Sequence, residues 1–343
     1  MIEVDGSQGE GGGQVLRTSL SLAALAGFPL RIVNIRAGRK KPGLRKQHLT
    51  AVSATAEIVS AEVAGASLGS QELTFTPQKP QGGEYVFDIG TAGSTCLVFQ
   101  TILWPLLFAQ QESRVELIGG THNPMAPSFD FLARTFLPLL SRMGAQVSLQ
   151  LKKHGFYPKG GGRLIAEISP LRTLQPIALP AIAGDHAPSL QARVISSRLP
   201  EHVATRELRL ATEALDLPAA SAEVVKVKKS LSPANVFFLH AERGGICETI
   251  TSFGERGLPA ERVVEQALAE MKRYLSYPVR VGEYLADQLI IPLALAGGGS
   301  FSTMPLSLHC QTNIALVQKL MSVSIATNKA AHGGVDVSFS SAG

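Results

Sequence analysis

The stretch Asp5-Gly6-Ser7-Gln8-Gly9-Glu10-Gly11-Gly12-Gly13-Gln14 runs directly into Val15-Leu16-Arg17-Thr18-Ser19-Leu20-Ser21-Leu22. Five glycines in the eight residues Gly6 to Gly13 carry a chain-entropy cost that an ordinary connection avoids. The apolar residues that follow, Val15, Leu16, Leu20, Leu22, Ala23 and Leu25, recur at helical spacing. The reading is a glycine loop that feeds a helix N-terminus. Uncovered backbone N–H groups and the positive end of the helix dipole suit such a place to phosphate. Glu10 adds a carboxylate able to ligate a metal, and Arg17 adds a cation. Taken alone, a glycine loop is more often only a strand-to-helix turn. The chain has no GxxxxGK[ST], and the loop lacks GxGxxG spacing, so it is neither a P-loop nor a Rossmann turn.

Outward from that loop, a strand at Pro29 to Ile35 leads into Arg36-Ala37-Gly38-Arg39-Lys40-Lys41-Pro42-Gly43-Leu44-Arg45-Lys46-Gln47-His48. Six cations in the eleven residues Arg36 to Lys46 surround a Pro-Gly that opens a second helix. A solvated charged face is the plain reading. An anion site is the better one, because the cations gather where a helix start already favours negative charge. The order strand, helix, strand, helix, strand, strand then recurs. In the second copy, Tyr85 to Ile89 and Arg114 to Ile118 are strands, followed by helices from Thr95 and from about Ser128 to Met143. In the third, Gly282 opens a helix ending near Gly297, Ser300 to Thr303 is a strand, and Ser307 opens another helix ahead of two closing strands. Loops preceding the helices fall at one end of each sheet and can converge on one cleft. Residues Pro180 to Ser276 break the order: helices at Pro200 to Leu215 and Pro259 to Tyr274 flank strands near Val194, Val225, Phe238 and Ile250. They form a smaller inserted domain.

At 343 residues the chain exceeds what one core usually serves. With 45% hydrophobic and 17% charged residues it is expected to be globular and cytoplasmic. No apolar run reaches the ~20 residues of a membrane span, and the N-terminus carries no signal-peptide pattern. Cys96, Cys247 and Cys310 lie far apart without a CxxC pair, which argues against a disulfide framework or a zinc site. A formal charge of +5 slightly favours an anionic partner. Nothing in the sequence calls for an obligate protein partner.

Gly9-Glu10-Gly11-Gly12-Gly13-Gln14, Arg36-Ala37-Gly38-Arg39, Pro42-Gly43-Leu44, Gln47-His48-Leu49-Thr50, His154-Gly155-Phe156-Tyr157-Pro158, Gly282-Glu283-Tyr284-Leu285-Ala286-Asp287-Gln288 and His309 together resemble the RNA 3'-terminal phosphate cyclase family, in its catalytic bacterial and archaeal type. The resemblance spans essentially the whole chain. It implies an α/β (α+β) fold of three repeated βαβαββ units similar to the C-terminal domain of a bacterial translation initiation factor, with a small thioredoxin-like domain inserted. The corresponding division is a large domain of residues 1–180 and 276–343, its repeats at about 1–80, 81–180 and 276–343, and a small domain of residues 181–275. It also implies an ATP-dependent reaction: a histidine takes AMP, AMP passes to an RNA 3'-phosphate, and the 2'-OH displaces it to leave a 2',3'-cyclic phosphate.

His309 matches the family's nucleophile. Arg17, Arg36, Arg39 and Gln47 match residues near the phosphates, and Glu10 matches one linked to a divalent metal, Mg2+ or Mn2+. Tyr284, Asp287, Pro127 and Phe131 match the adenosine pocket, with Gln14, Gln100 and Gln288 as further members. Imidazole suits the role, since its neutral form is abundant near pH 7 and its bond to phosphorus stays reactive. Two other classes compete. A ribosome-assembly factor of the same superfamily would lack the nucleophilic histidine, and an enolpyruvyl transferase built from similar units would not take AMP from ATP. Glu3-Val4-Asp5-Gly6 imitates the KxDG of lysine-adenylylating ligases, but Glu3 stands where the lysine would be.

Overall fold

The computed structural model describes residues 1–184 and 187–341. Strand β1 (Ile2–Asp5) enters helix α1 (Gly13–Ala26) through the glycine loop, and β2 (Leu30–Val33) leads to α2 (Lys46–Ile58). Strands β3 (Glu62–Ala64) and β4 (Leu73–Thr76) complete a sheet ordered β1-β2-β4-β3. The first two strands are parallel and the others pair antiparallel. Leu30 and Ile32 of β2 are buried while their neighbours are half-buried, the alternation that a sheet with one covered face requires.

The arrangement repeats with β5 (Glu84–Asp88), α3 (Thr95–Leu107), β6 (Ser113–Gly119), a broken helix, β7 (Val147–Lys153) and β8 (Gly162–Ile168), ordered β5-β6-β8-β7. The broken helix is α4 (Phe129–Phe131), a π-helical turn (Leu132–Phe136) and α5 (Leu137–Arg142). Ser128 starts it by accepting from the Phe131 amide at 3.1 Å, as the sequence predicts. The wide turn precedes Pro138, which has no amide hydrogen to continue the regular ladder.

Strand β9 (Ala178–Leu179) precedes a segment with its own sheet: β10 (Ser189–Ser197), α6 (Glu201–Leu215), β11 (Ala222–Lys226), β12 (Ala234–Arg243), β13 (Ile246–Phe253) and α7 (Ala260–Leu275), ordered β11-β10-β12-β13. One face of each helix is buried, Ala204, Leu208 and Ala211 on α6 and Val263, Ala267, Met271 and Tyr274 on α7, so an apolar stripe at helical period closes this sheet's core. The chain continues with α8 (Glu283–Ala296), β14 (Gly298–Thr303), α9 (Leu308–Leu320), β15 (Val323–Lys329) and β16 (Val335–Ser341). Their sheet is ordered β15-β16-β14-β9, so its outer strand comes from Ala178–Leu179, which lies parallel to Ser300–Phe301. A two-residue strand is too short to show periodicity, and the sequence does not announce it.

In this mixed α/β architecture the sheets β1–β4, β5–β8 and β9 with β14–β16 share one strand order, and in each the first two strands are parallel. Loops that follow parallel neighbours leave by the same sheet edge, so helix starts gather there. Helix α1 packs against α2, α3 and α9 over one large core that includes Leu16, Leu20, Phe99, Leu103 and Val317. Gly27 (φ 75°) and Gly297 (φ 66°) end α1 and α8 in the left-handed conformation that glycine supplies cheaply. No described helix is long and apolar enough to cross a membrane.

Candidate active site

His309 lies in the first turn of α9, where Ser307 caps the helix by accepting from the Cys310 amide at 3.2 Å. Its side chain is 52% exposed. Nδ1 stands 2.9 Å from Oε1 of Gln14. The amide's orientation follows from its other end, where Nε2 donates to Asp287 Oδ1 at 2.6 Å. An oxygen thus faces the ring, so Nδ1 carries the hydrogen and donates it. Nε2 of His309 keeps its lone pair, and Glu10 Oε1 is 3.7 Å away.

Asp287 is the hub behind this pair. It also accepts from Asn313 Nδ2 at 3.2 Å and from Gln288 Nε2 at 3.0 Å, and Gln288 accepts in turn from Gln100. Asn313 accepts from Thr18 at 3.1 Å. Burial raises the Asp287 carboxyl above the ordinary carboxylate range, with Gln14, His309, Asn313 and Arg17 opposing the shift. Burial likewise pulls the Arg17 guanidinium down to about 10, against the attraction of Asp287 and with the repulsion of Arg36. Arg17 therefore stays cationic at neutral pH. Helices α1, α3, α8 and α9 are tied together by these side chains.

On the other side of the ring, Glu10 pairs with Arg39, and its backbone N–H donates to Thr312 Oγ1 at 3.1 Å. Oε2 of Glu10 is buried and has no hydrogen-bond partner. The loop lies so close that a Cβ on Gly12 would sit 2.0 Å from that oxygen and 2.7 Å from Arg39 NH2. A Cβ on Gly13 would meet His48 Nε2 at 2.6 Å and Arg17 NH1 at 2.8 Å. Gly12 caps α1 without any side-chain hydrogen bond, which leaves the amides of that helix start available to an anion.

The cationic loop has a structural duty as well. NH1 of Arg36 donates to the carbonyls of Lys41 and Gly43 at 2.8 and 2.7 Å, and the Arg36 backbone is left-handed at φ 56°. Gln47 Oε1 accepts from the Ser94 amide at 3.0 Å, which fastens the start of α2 to the start of α3. Pro127, Phe131 and Tyr284 stand outside the hydrogen-bonded chain among the described residues. Phe131 is 4% exposed in the main core, and Tyr284 is 54% exposed one turn ahead of Asp287.

The other histidines of the neighbouring loops have partners of their own. His48 Nδ1 accepts from the Arg45 amide at 3.2 Å, and burial with nearby Arg17, Arg36 and Arg45 pushes its imidazole down to about 3. His122 Nε2 is 2.8 Å from Asp130 Oδ2, and Arg193 of β10 pairs with Oδ1 at 2.5 Å. His154 stacks on His122 with ring centres 5.4 Å apart. Cys310 is buried, and its thiol is pushed well above the ordinary range by that burial, so it is no competing nucleophile. Asn313, Thr312 and Thr18 escaped the sequence reading. Their spacing along α9 and α1 looks like any half-polar helix, and only contacts between distant elements reveal them, Thr312 with the Glu10 amide and Asn313 with Thr18 and Asp287.

The model of the family described as RNA 3'-terminal phosphate cyclase matches residues 8–327. The chain belongs to that family. The protein of that name from Ectopseudomonas mendocina is 47% identical over 329 residues, which covers 96% of this chain and 95% of the relative. Those from Koribacter versatilis and Salmonella agona are 45% and 46% identical, over 94% and 96% of this chain and 91% and 95% of theirs. Among solved structures, EPSP synthase from Acinetobacter baumannii aligns at a TM-score of 0.30 and 12% identity, over 95% of this chain and 61% of that one. That likeness is too slight to carry an argument. Membership in the cyclase family agrees with the resemblance read from the glycine loop, the Arg36–Gly38–Arg39 loop and His309.

Proposed function

We propose that this protein converts an RNA 3'-terminal phosphate to a 2',3'-cyclic phosphate in the cytoplasm at the expense of ATP, through a covalent adduct of His309. The observation that carries the reading is the fixed imidazole: Nδ1 bound to Gln14, and Nε2 free beside Glu10. In the first step Nε2 attacks the α-phosphorus of ATP, the phosphorus–oxygen bond to diphosphate breaks, and diphosphate leaves. A phosphate oxygen of the RNA end then attacks the same phosphorus and Nε2 departs with its lone pair. The 2'-OH next attacks the RNA phosphorus, losing its proton, and AMP leaves.

Each step builds charge on an already anionic phosphate, and the second sets an anion against an anion, so positive groups must offset the charge. Arg17 of α1, Arg36 and Arg39 of the cationic loop and Gln47 at the start of α2 are the phosphate-facing residues in this reading, and the amides at the start of α1 add further donors. Asp287 acts by holding Gln14, and Gln100 and Gln288 hold Asp287. Tyr284, Pro127 and Phe131 flank the adenosine. The unpartnered Glu10 Oε2 fits a divalent cation, Mg2+ or Mn2+. Among the described residues no cluster of three His, Cys, Asp or Glu side chains could hold a metal alone, in keeping with an ion that shares its ligands with substrate phosphates and water. Such an ion would supply charge neutralisation at the phosphates.

The three equivalent sheets support the reading of three repeated units akin to an initiation-factor domain, with residues 181–275 as an inserted thioredoxin-like domain. The direct test is to incubate an end-labelled RNA 3'-phosphate with ATP and magnesium. The account requires an ATP-dependent end that resists phosphatase, and an end that stays phosphatase-sensitive contradicts it.

A further inference from the structure

Beside the nucleophile lies a groove that the reaction as described does not use. It is a cavity of about 220 Å³ between the Gln8–Gly9 turn and α9, lined by Leu308, Ala315 and Leu316 together with Gln8, Gln311 and Lys319. Leu308 adjoins His309 and is 56% exposed, an apolar surface at the shoulder of the site that no core explains. Gly9, on the opposite wall, adjoins Glu10. The groove's lining thus includes the chain neighbours of both His309 and Glu10. Gln311 donates Nε2 to the Leu306 carbonyl at 2.9 Å, which leaves its side-chain oxygen free. Lys319 makes no ion pair among the described residues.

We propose that this groove receives the base of the RNA's 3'-terminal nucleotide, with Lys319 meeting a phosphodiester upstream of it. The proposal rests on the cyclase reading, because that reading requires an RNA end to reach the phosphorus bound at His309. For a terminal phosphate to enter a cleft its nucleotide must leave the stack, and the freed base needs apolar surface in place of its lost neighbour. Leu308, Ala315 and Leu316 supply that surface. The amides of Gln8 and Gln311 have both donors and acceptors, so they suit the edge of any base and give little sequence preference. From Leu308 to Lys319 the helix advances about 16 Å, which puts the ammonium one or two phosphodiesters back along the strand. An unpaired cation at that distance complements the backbone of an RNA.

The test uses the full chain, with Ala315→Trp to fill the groove and Lys319→Glu to reverse its charge. Both positions are exposed on α9, so the substitutions leave packing intact, and circular dichroism verifies that. Three quantities are measured: labelling by ATP without RNA, KM for a short RNA 3'-phosphate, and KM for the same RNA with an abasic terminal ribose. In the native enzyme, removal of the terminal base raises KM about tenfold. Ala315→Trp raises KM for intact RNA about tenfold, makes intact and abasic RNA equivalent, and leaves ATP labelling unchanged. Lys319→Glu raises KM and flattens its dependence on salt. Unaltered KM in Ala315→Trp, or a slowed ATP labelling, overturns the groove assignment alone. Failure of the native protein to cyclise any RNA overturns the cyclase reading beneath it.

Discussion

Gln14 and His309, 295 residues apart in sequence, meet across 2.9 Å in a contact that selects one tautomer of the imidazole. Because Gln14 turns its nitrogen to Asp287, its oxygen must accept from Nδ1, and the opposite nitrogen keeps its lone pair. Gln14→Ala removes that selection without touching His309. Covalent labelling by ATP should fall by up to about ten-thousandfold, the cost of a wrong imidazole tautomer in a Ser-His-Asp triad, and stability should fall by about 1–3 kcal/mol because buried Asp287 loses a donor. Labelling at the native rate would show that the contact does not position the ring.

Much of this arrangement was legible in the sequence, and the parts that were not have physical reasons. Local signals read well: Ser307 caps α9, Gly297 ends α8 and the glycine loop enters α1, each fixed by residues within one turn. His309, Glu10 and Arg39 were named from motifs, and the fold brings them together. Gln14 was read only as a further member of the adenosine pocket, since its partners come from α8 and α9. Asn313 gave no signal for the same reason. The resemblance puts Arg36 near the phosphates, and its guanidinium also braces the carbonyls of its own loop, which charge counting cannot reveal.

The glycines of the first loop and of the first helix end serve different purposes, and alanine separates them. Gly27→Ala puts a side chain at φ 75° with nothing within 4 Å of the new carbon, so it should cost about 1–2 kcal/mol of stability and leave ATP labelling intact. Gly12→Ala instead drives a methyl group into Glu10 and Arg39. Its fold should survive while labelling falls at least about tenfold, or about 1.4 kcal/mol in the barrier. Denaturant titration and labelling of both variants check the contrast, and equal effects on activity would contradict it.

Glu248 of β13 accepts the Gly282 amide at 3.0 Å, at the start of the helix that carries Tyr284 and Asp287. Burial pushes its carboxyl from 4.5 up to about 8. The folded state therefore holds a proton that the unfolded chain has released through that window, and stability should fall as pH rises from about 5 to about 8. Glu248→Gln keeps an acceptor for Gly282 but cannot ionise, so its stability should depend less on pH and exceed that of the native protein near pH 8. Parallel pH profiles for the two proteins would contradict the assignment.

AMP on His309 is the intermediate on which the proposed reaction turns. The protein is incubated with α-labelled ATP and a divalent metal, without RNA, then denatured and assayed for bound label, alongside a folded His309→Asn variant. An acid-labile, alkali-stable adduct should form on the native chain, be discharged by an RNA 3'-phosphate and be absent from the variant. An adduct of equal yield on His309→Asn, or none on the native chain across varied metal and pH, would contradict that role for His309.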